Sequence, residues 1–253
     1  MFSPDPADGR VFTISRTVRS TDVTPDGLLR LDAIARYLQD AAEDDLADAG
    51  LDEPYDWVLR RVRVAIRGYP GHAEQVRLRT YCSATGPRWA QRTTTMARRG
   101  TDLIQATATW AAIGRADGRP APLGGAFQQV YGPSAGGRQV SARLQLPAPP
   151  ATQPGRPWPL RATDLDTIGH VNNSVHWAAA EDALTGLDWR PAGAEADYNR
   201  PILPGCHPTV VTSQADGELS VWLLDAAARL ASLRLTRAAG GGAGVAAGAA
   251  QAQ

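Results

Sequence analysis

The chain contains no lysine; all 26 of its basic residues are arginine. That excludes a lysine nucleophile or Schiff base and hints at a GC-rich coding sequence. Net charge is absent too, with 26 basic residues against 26 acidic ones, so no global field favours nucleic acid or an anionic membrane. Any charged partner has to be met by a local patch. Cysteine is scarce: Cys82 and Cys206 lie far apart without C-x-x-C spacing, which argues against a zinc site or a disulfide framework. No apolar stretch approaches membrane-spanning length, and the start MFSPDPADGR carries acids and prolines where a targeting signal would have a basic patch and an apolar run. No dinucleotide fingerprint is present either. These absences lead to the expectation of a cytoplasmic protein with no metal, no cofactor, no nucleic acid and no membrane span.

What is there is periodicity. In LLRLDAIARYLQDAAEDDLADAG, Leu31, Ile34, Ala35, Leu38, Ala41 and Ala42 fall on one face at helical spacing, and Gly50 follows as a C-terminal cap. WVLRRVRVAIRG, EQVRLRTYCSA, RWAQRTTTMARRG and LIQATATWAAIG then alternate as strands, with Val58, Val62, Val64 and Ile66 on the buried side of the first. A Pro- and Gly-rich stretch over residues 134–157 reads as an extended linker. The order then repeats: RPWPLRATD as a strand, a helix from Asn173 to about Leu187, and four strands in AEADYNR, HPTVVTSQ, ELSVWLL and RLASLRLT. With 253 residues there is room for two domains. The expected division is a first domain over 1–133, the linker, a second domain over 158–238, and a low-complexity, disordered tail over 239–253.

The stretch DLDTIGHVNNSVHW, residues 164–177, concentrates acids, histidines and asparagines at the start of the second helix. Asn172 or Asn173 suits an ordinary N-cap, and an acid there also stabilises the helix electrostatically. The same arrangement suits chemistry. Asp166 can take a proton from water or attack a carbonyl directly, His170 can orient a substrate or relay the proton, and unpaired backbone N–H groups at the helix start suit a developing oxyanion. His176 lies six residues beyond His170, neither i+3 nor i+4, which disfavours a metal-binding pair. Cys206 beside His207 falls in a turn-like PILPGCHP, a poor setting for a thiol nucleophile.

A strand, a long helix and an antiparallel meander, occurring twice around a linker, resembles the tandem hotdog arrangement of the acyl-ACP thioesterases. The segments TDVTPDGLLRLDAIARYLQDAAEDDLADAGL, WVLRRVRVAIRGYP, YCSATG and ATWAAIG are similar to that family's first helix and strands, and DLDTIGHVNN to its D-L-D-x-N-x-H-V-N-N catalytic segment. The resemblance spans about residues 10–236. It implies an α+β fold of two tandem hotdog domains, each a long central helix wrapped by a curved antiparallel sheet, the first shaping the acyl slot and the second carrying catalysis. It implies Asp166, His170 and Asn172 as catalytic residues, with Val171 and Asn173 at the helix start by the oxyanion, and hydrolysis of an acyl thioester of acyl carrier protein or CoA by a monomer or homodimer. The family's Asn is here Ile168, and its E-Y-x-R-E-C strand reads Asp197, Tyr198, Asn199, Arg200, Pro201, Ile202, so its Glu and Cys are missing. Asp197 is the candidate replacement carboxylate, ahead of Glu195. Arg61, Arg63, Arg77 and Arg79 either meet an acidic carrier protein or form a solvated face. The rival reading is a hotdog protein that binds acyl groups with little hydrolysis; a hotdog hydratase fits the motif less well.

Overall fold

The computed structural model describes residue 2, residues 4–151 and residues 153–238; the expected tail over 239–253 lies outside the described residues. Apolar residues at strand period build ten strands: β1 (Phe12–Thr17), β2 (Tyr55–Ile66), β3 (Gln75–Thr85), β4 (Trp89–Arg98), β5 (Thr101–Gly114), β6 (Arg156–Pro157), β7 (Gly193–Tyr198), β8 (Thr209–Ala215), β9 (Glu218–Asp225) and β10 (Ala228–Thr236). Three helices accompany them: α1 (Leu31–Ala49), α2 (Gly125–Ala135) and α3 (Asn173–Ala183). The strands form one sheet, in the order β1-β3-β4-β5-β2-β7-β10-β9-β8-β6, and every neighbouring pair is antiparallel. The order 1-3-4-5-2 of the first half recurs, read from the opposite edge, as 6-8-9-10-7 in the second.

Gly50 ends α1 as expected, in the left-handed region at φ 64° with its N–H on the carbonyl of Ala47. The N-terminus of α1 lacks a side-chain cap of its own; the Leu31 N–H is met instead by Glu181 of α3 at 2.9 Å. Eight residues further along α1, Gln39 accepts a hydrogen bond from Asn173 at the start of α3. Those two ties fix α1 and α3 antiparallel. Their apolar faces, with Leu31, Ile34, Leu38, Trp177 and Ala180, join Val62, Val64, Ala194, Ala196 and Leu233 from both halves of the sheet in one continuous core.

Four features differ from the sequence expectation. In β2 a register shift between Leu59 and Arg61 resets the alternation, so Leu59, not Val58, shares the buried side with Val62, Val64 and Ile66. RPWPLRATD supplies only the two-residue β6 and then a short 3-10 turn at Ala162–Asp164, because its prolines withhold ladder donors. The second helix stops at Ala183, short of Leu187. Helix α2, with little helical amphipathicity, has no counterpart in the sequence reading and runs past residue 133; it packs Phe127, Tyr131 and Ala135 on Cys82 and Ala90.

The linker is extended, as its composition predicts, yet it is tied down. Trp89 and Trp222 donate indole N–H bonds to the carbonyls of Val140 and Pro147, and the N–H groups of Gln145 and Leu146 reach Asp197 Oδ2 at 2.5 and 2.6 Å. Asp197 Oδ1 accepts from Arg61 Nη1 at 2.8 Å, across the β2–β7 pairing that joins the two halves. Asp197 is 1 % exposed and Arg61 6 % exposed. Removing one partner strands a buried charge, so Asp197→Ala should cost about 3 to 5 kcal/mol in urea unfolding; a loss below about 1 kcal/mol would mean that this pair does not hold the linker and the two halves together.

Candidate active site

The turn that leads into α3 is built on hydrogen bonds with a counterpart at the start of α1. Asp164 closes a 3-10 turn by accepting the Arg161 N–H on its carboxylate, as Asp22 does from Arg19. The Asp166 N–H bonds to the carbonyl of His170 and the Gly169 N–H to that of Asp166, as Thr24 does to Leu28 and Gly27 to Thr24. The Asn172 and Arg30 N–H groups return to the carbonyls of Asp164 and Asp22, and those of Val171 and Leu29 go to Ile202 and Pro70. Gly169 and Gly27 both take positive φ, 77° and 80°, which a side chain would strain. The two turns therefore share one backbone design. At matched positions the second carries Asp166 and His170 where the first carries Thr24 and Leu28, and Asp22 matches Asp164 and not Asp166.

Asp166 is half-buried, and its Oδ1 accepts from the N–H groups of Ile168 and His170 at 3.0 and 2.9 Å. This orients the carboxylate and leaves Oδ2 without a donor among the described residues. The half-buried His170 imidazole makes no hydrogen bond to a described residue, so both ring nitrogens are free for substrate or water. Asn172 is the N-cap of α3: its Oδ1 accepts from Ser174 N at 2.9 Å and Ser174 Oγ at 2.8 Å, which commits that oxygen to capping the helix. The Val171 N–H is spent on Ile202, so Val171 is no oxyanion donor; the Asn173 N–H, at the first helical position, remains. Among the described residues no cluster of potential metal ligands occurs.

Asp197 does not reach this site. Ala194, Ala196 and Tyr198 line the core side of β7, while Glu195 and Asp197 alternate onto the other face, where Arg61 and the linker occupy Asp197. Arg61 is likewise committed to Asp197 and Glu195 and presents nothing to a partner, and Arg79 is paired with Asp5 and Asp102; Arg63, 61 % exposed in its side chain, remains on the surface. Ile168, in place of the motif's Asn, is 61 % exposed, and Leu165 and Leu203 are exposed as well. Cys206 is packed against the core while His207 is exposed, which separates them as a reactive pair. His176 is buried edge-on against Tyr198, and burial pushes its pKa down to about 4, so it is a neutral packing group.

Two cavities share walls in the first half, and the narrower one reaches Asn173. The narrower, about 20 Å³, is walled by Gln39, Arg92, Trp110, Asn173, Trp177 and Tyr198. The wider, about 230 Å³, shares Arg92 and Trp110 as walls and continues among Tyr55, Trp57, Phe127 and Tyr131 of the first half. Asp166 and His170 line neither; Asn173 is the motif residue that touches the narrow one. Gln39 links the start of α3 to Glu43, donating from Nε2 at 2.9 Å. Sequence reasoning missed Gln39, Arg92 and Trp110 as cavity residues, because a polar residue facing a cavity leaves the same trace in sequence as one facing water.

A protein of Mycobacterium tuberculosis (strain H37Rv), described as uncharacterized protein Rv2001, is 26% identical over 214 residues, 83% of this chain and 86% of that protein. The fold matches that of the 12:0-ACP thioesterase from Umbellularia californica with a TM-score of 0.76, at 18% identity, over 89% of this chain and 96% of that one. An acyl-ACP thioesterase from Bacteroides thetaiotaomicron matches with a TM-score of 0.73 at 17% identity, over 89% and 97% of the two chains. The α+β architecture is therefore hotdog-like, with a large antiparallel sheet and few helices. Residues 9–130 match the model of the acyl-ACP thioesterase N-terminal domain, a domain of a family of thioester hydrolases.

Proposed function

We propose that this chain hydrolyses fatty acyl thioesters carried on acyl carrier protein, using the turn before α3 for chemistry and the two cavities for the acyl group. The observation that carries this reading is the pair of matched turns: one backbone design, in which the second copy carries Asp166 and His170 where the first carries Thr24 and Leu28. The two halves then act as tandem hotdog units, residues 1–133 and 158–238 around the linker, the first for binding and the second for catalysis. The match of residues 9–130 to the acyl-ACP thioesterase N-terminal domain favours acyl carrier protein over CoA as the carrier.

Asp166 Oδ2 takes a proton from water as the water oxygen bonds to the thioester carbonyl carbon. The oxyanion so formed lies by the Asn173 N–H at the positive end of α3. Collapse of this intermediate breaks the C–S bond, the carrier thiolate takes a proton through His170, and the free fatty acid leaves. The rival reading, acyl binding with little turnover, is favoured by the exposed Ile168 and by Pro201, which supply no polar group beside Asp166.

Asp166→Asn and His170→Ala should each lower kcat for acyl-ACP by about a hundredfold or more with circular dichroism unchanged. Thiol release at near wild-type rates from either variant would remove that residue from the mechanism. Asp22, the carboxylate of the first-half turn, behaves differently. Burial disfavours the charged form of Asp22, but hydrogen bonds from Tyr37, the Arg19 N–H and Arg36 outweigh it and hold its carboxyl below the usual range. Asp22→Asn should therefore lower the unfolding free energy and leave kcat within about twofold of wild type; a catalytic loss equal to that of Asp166→Asn would overturn the division of labour.

A further inference from the structure

Exposed apolar side chains are concentrated at the second turn. Among the described residues, the large apolar side chains left exposed are Val11, Leu165, Ile168 and Leu203. The last three lie on two segments, 164–171 and 199–207, which the bond from the Val171 N–H to the Ile202 carbonyl joins. Leu165 is bridged to Val171, and Leu203 follows Ile202 directly. Single apolar residues scattered over a surface are ordinary. Three on one joined pair of segments, on the turn that carries Asp166 and His170, form a face suited to a partner.

The first turn shows the same face closed from within the chain. At the positions matched to Leu165, Ile168 and Leu203 it carries Val23, Asp26 and Gly71. Val23 is partly buried against the core. Asp26 is held by Arg190 Nη2 at 2.7 and 2.6 Å, and the Tyr69 hydroxyl donates to the Pro191 carbonyl at 2.8 Å. The segment between α3 and β7 therefore lies over the first turn. Its equivalent in the first half, between α1 and β2, is used elsewhere: Glu53 accepts the Phe127 N–H and the Pro54 carbonyl accepts that of Arg115, both at 3.1 Å. Among the described residues, that segment makes no hydrogen bond to the second turn, whose apolar face is left bare.

Charge narrows the choice of occupant. The acids of the two segments are Asp164, buried and paired with Arg161, and the half-buried Asp166. Arg200 is exposed and pairs with no described acid, so the exposed charge of these segments is positive. The strand arginines offer less, since Arg61 and Arg79 are already paired. We infer that this face docks an acidic carrier protein: Leu165, Ile168 and Leu203 receive apolar side chains of the carrier, and Arg200 meets an acid next to them. Docking there brings the thioester to Asp166. The inference rests on the proposed hydrolysis of acyl-ACP and adds the surface on which the carrier is held. It makes Leu165, Leu203 and Arg200 carrier-recognition residues, not catalytic ones.

The test compares one acyl group on two supports, acyl carrier protein and pantetheine, which shares the carrier's arm but not its protein surface. Leu165→Ser with Leu203→Ser should raise KM for acyl-ACP about tenfold or more, and Arg200→Glu about threefold or more. Both variants should keep kcat/KM for acyl-pantetheine within about twofold of wild type. An unchanged KM for acyl-ACP in either variant overturns the inference. An equal loss with acyl-pantetheine would place the contact on the arm, and a wild-type dimer that the double variant dissociates would give the face to a second copy; either result overturns it. If no thioester is hydrolysed, the proposed activity fails while this inference is still decided. Calorimetry with the holo carrier protein then upholds it if both variants bind more weakly by the same factors, and overturns it if the carrier does not bind or binds all three proteins alike.

Discussion

The antiparallel pairing of β2 with β7 is the constraint on which the rest of the molecule depends. Arg61 stands opposite Asp197 and Val62 opposite Ala196, so the pairing carries a buried ion pair on one face and continuous apolar packing on the other. Because one face of each strand is buried, a slip of β7 by a single residue would turn Asp197 into the core and Ala196 towards the linker, and would break the ion pair with Arg61. That register sets the two halves of the sheet edge to edge and brings α1 against α3. The Leu31–Glu181 and Asn173–Gln39 bonds then fix the helices, and the start of α3 faces a cavity whose walls belong mostly to the first half.

The matched turns show how one backbone design serves two purposes. Around Asp22, the side chains at the turn are used up internally: Tyr37 and Arg36 bond the carboxylate, and Thr24 bonds Asp26 and the Leu28 carbonyl. Around Asp166 the same backbone leaves one carboxylate oxygen and an imidazole unspent. Unspent polar groups at the start of a helix cost stability and are useful where a reacting carbonyl has to be met. The first turn is the more tightly bonded; the second keeps its polar groups available.

Much of the fold was legible in the sequence because it is written in periodicity: the face of α1, its stop at Gly50, the strands and the recurrence of their order. The bulge in β2 was not, since nothing in WVLRRVRV marks where the alternation slips. Helix α2 was hidden because GAFQQVYGPSA carries glycines and an internal proline and earns its place by packing aromatics on β3. At the site, Asp166 and His170 stood out by residue type and spacing. The roles of Asn172, Val171 and Asp197 depended on which face a strand shows and where an N–H is spent, and those are properties of pairing across the sheet. Asp197 illustrates this: its neighbour in sequence, Tyr198, contacts α3, while its own carboxylate faces the linker.

The central claim is that the thioester sits at the second turn while its acyl group lies in the first half. A crystal structure with an acyl-pantetheine ketone, in which a methylene replaces the thioester sulfur, tests it directly. The account predicts the ketone oxygen at the Asn173 N–H, its carbonyl carbon facing Asp166, and the chain passing Gln39 and Trp110 towards Phe127. A chain running under β8 to β10, or a carbonyl remote from the start of α3, would contradict it.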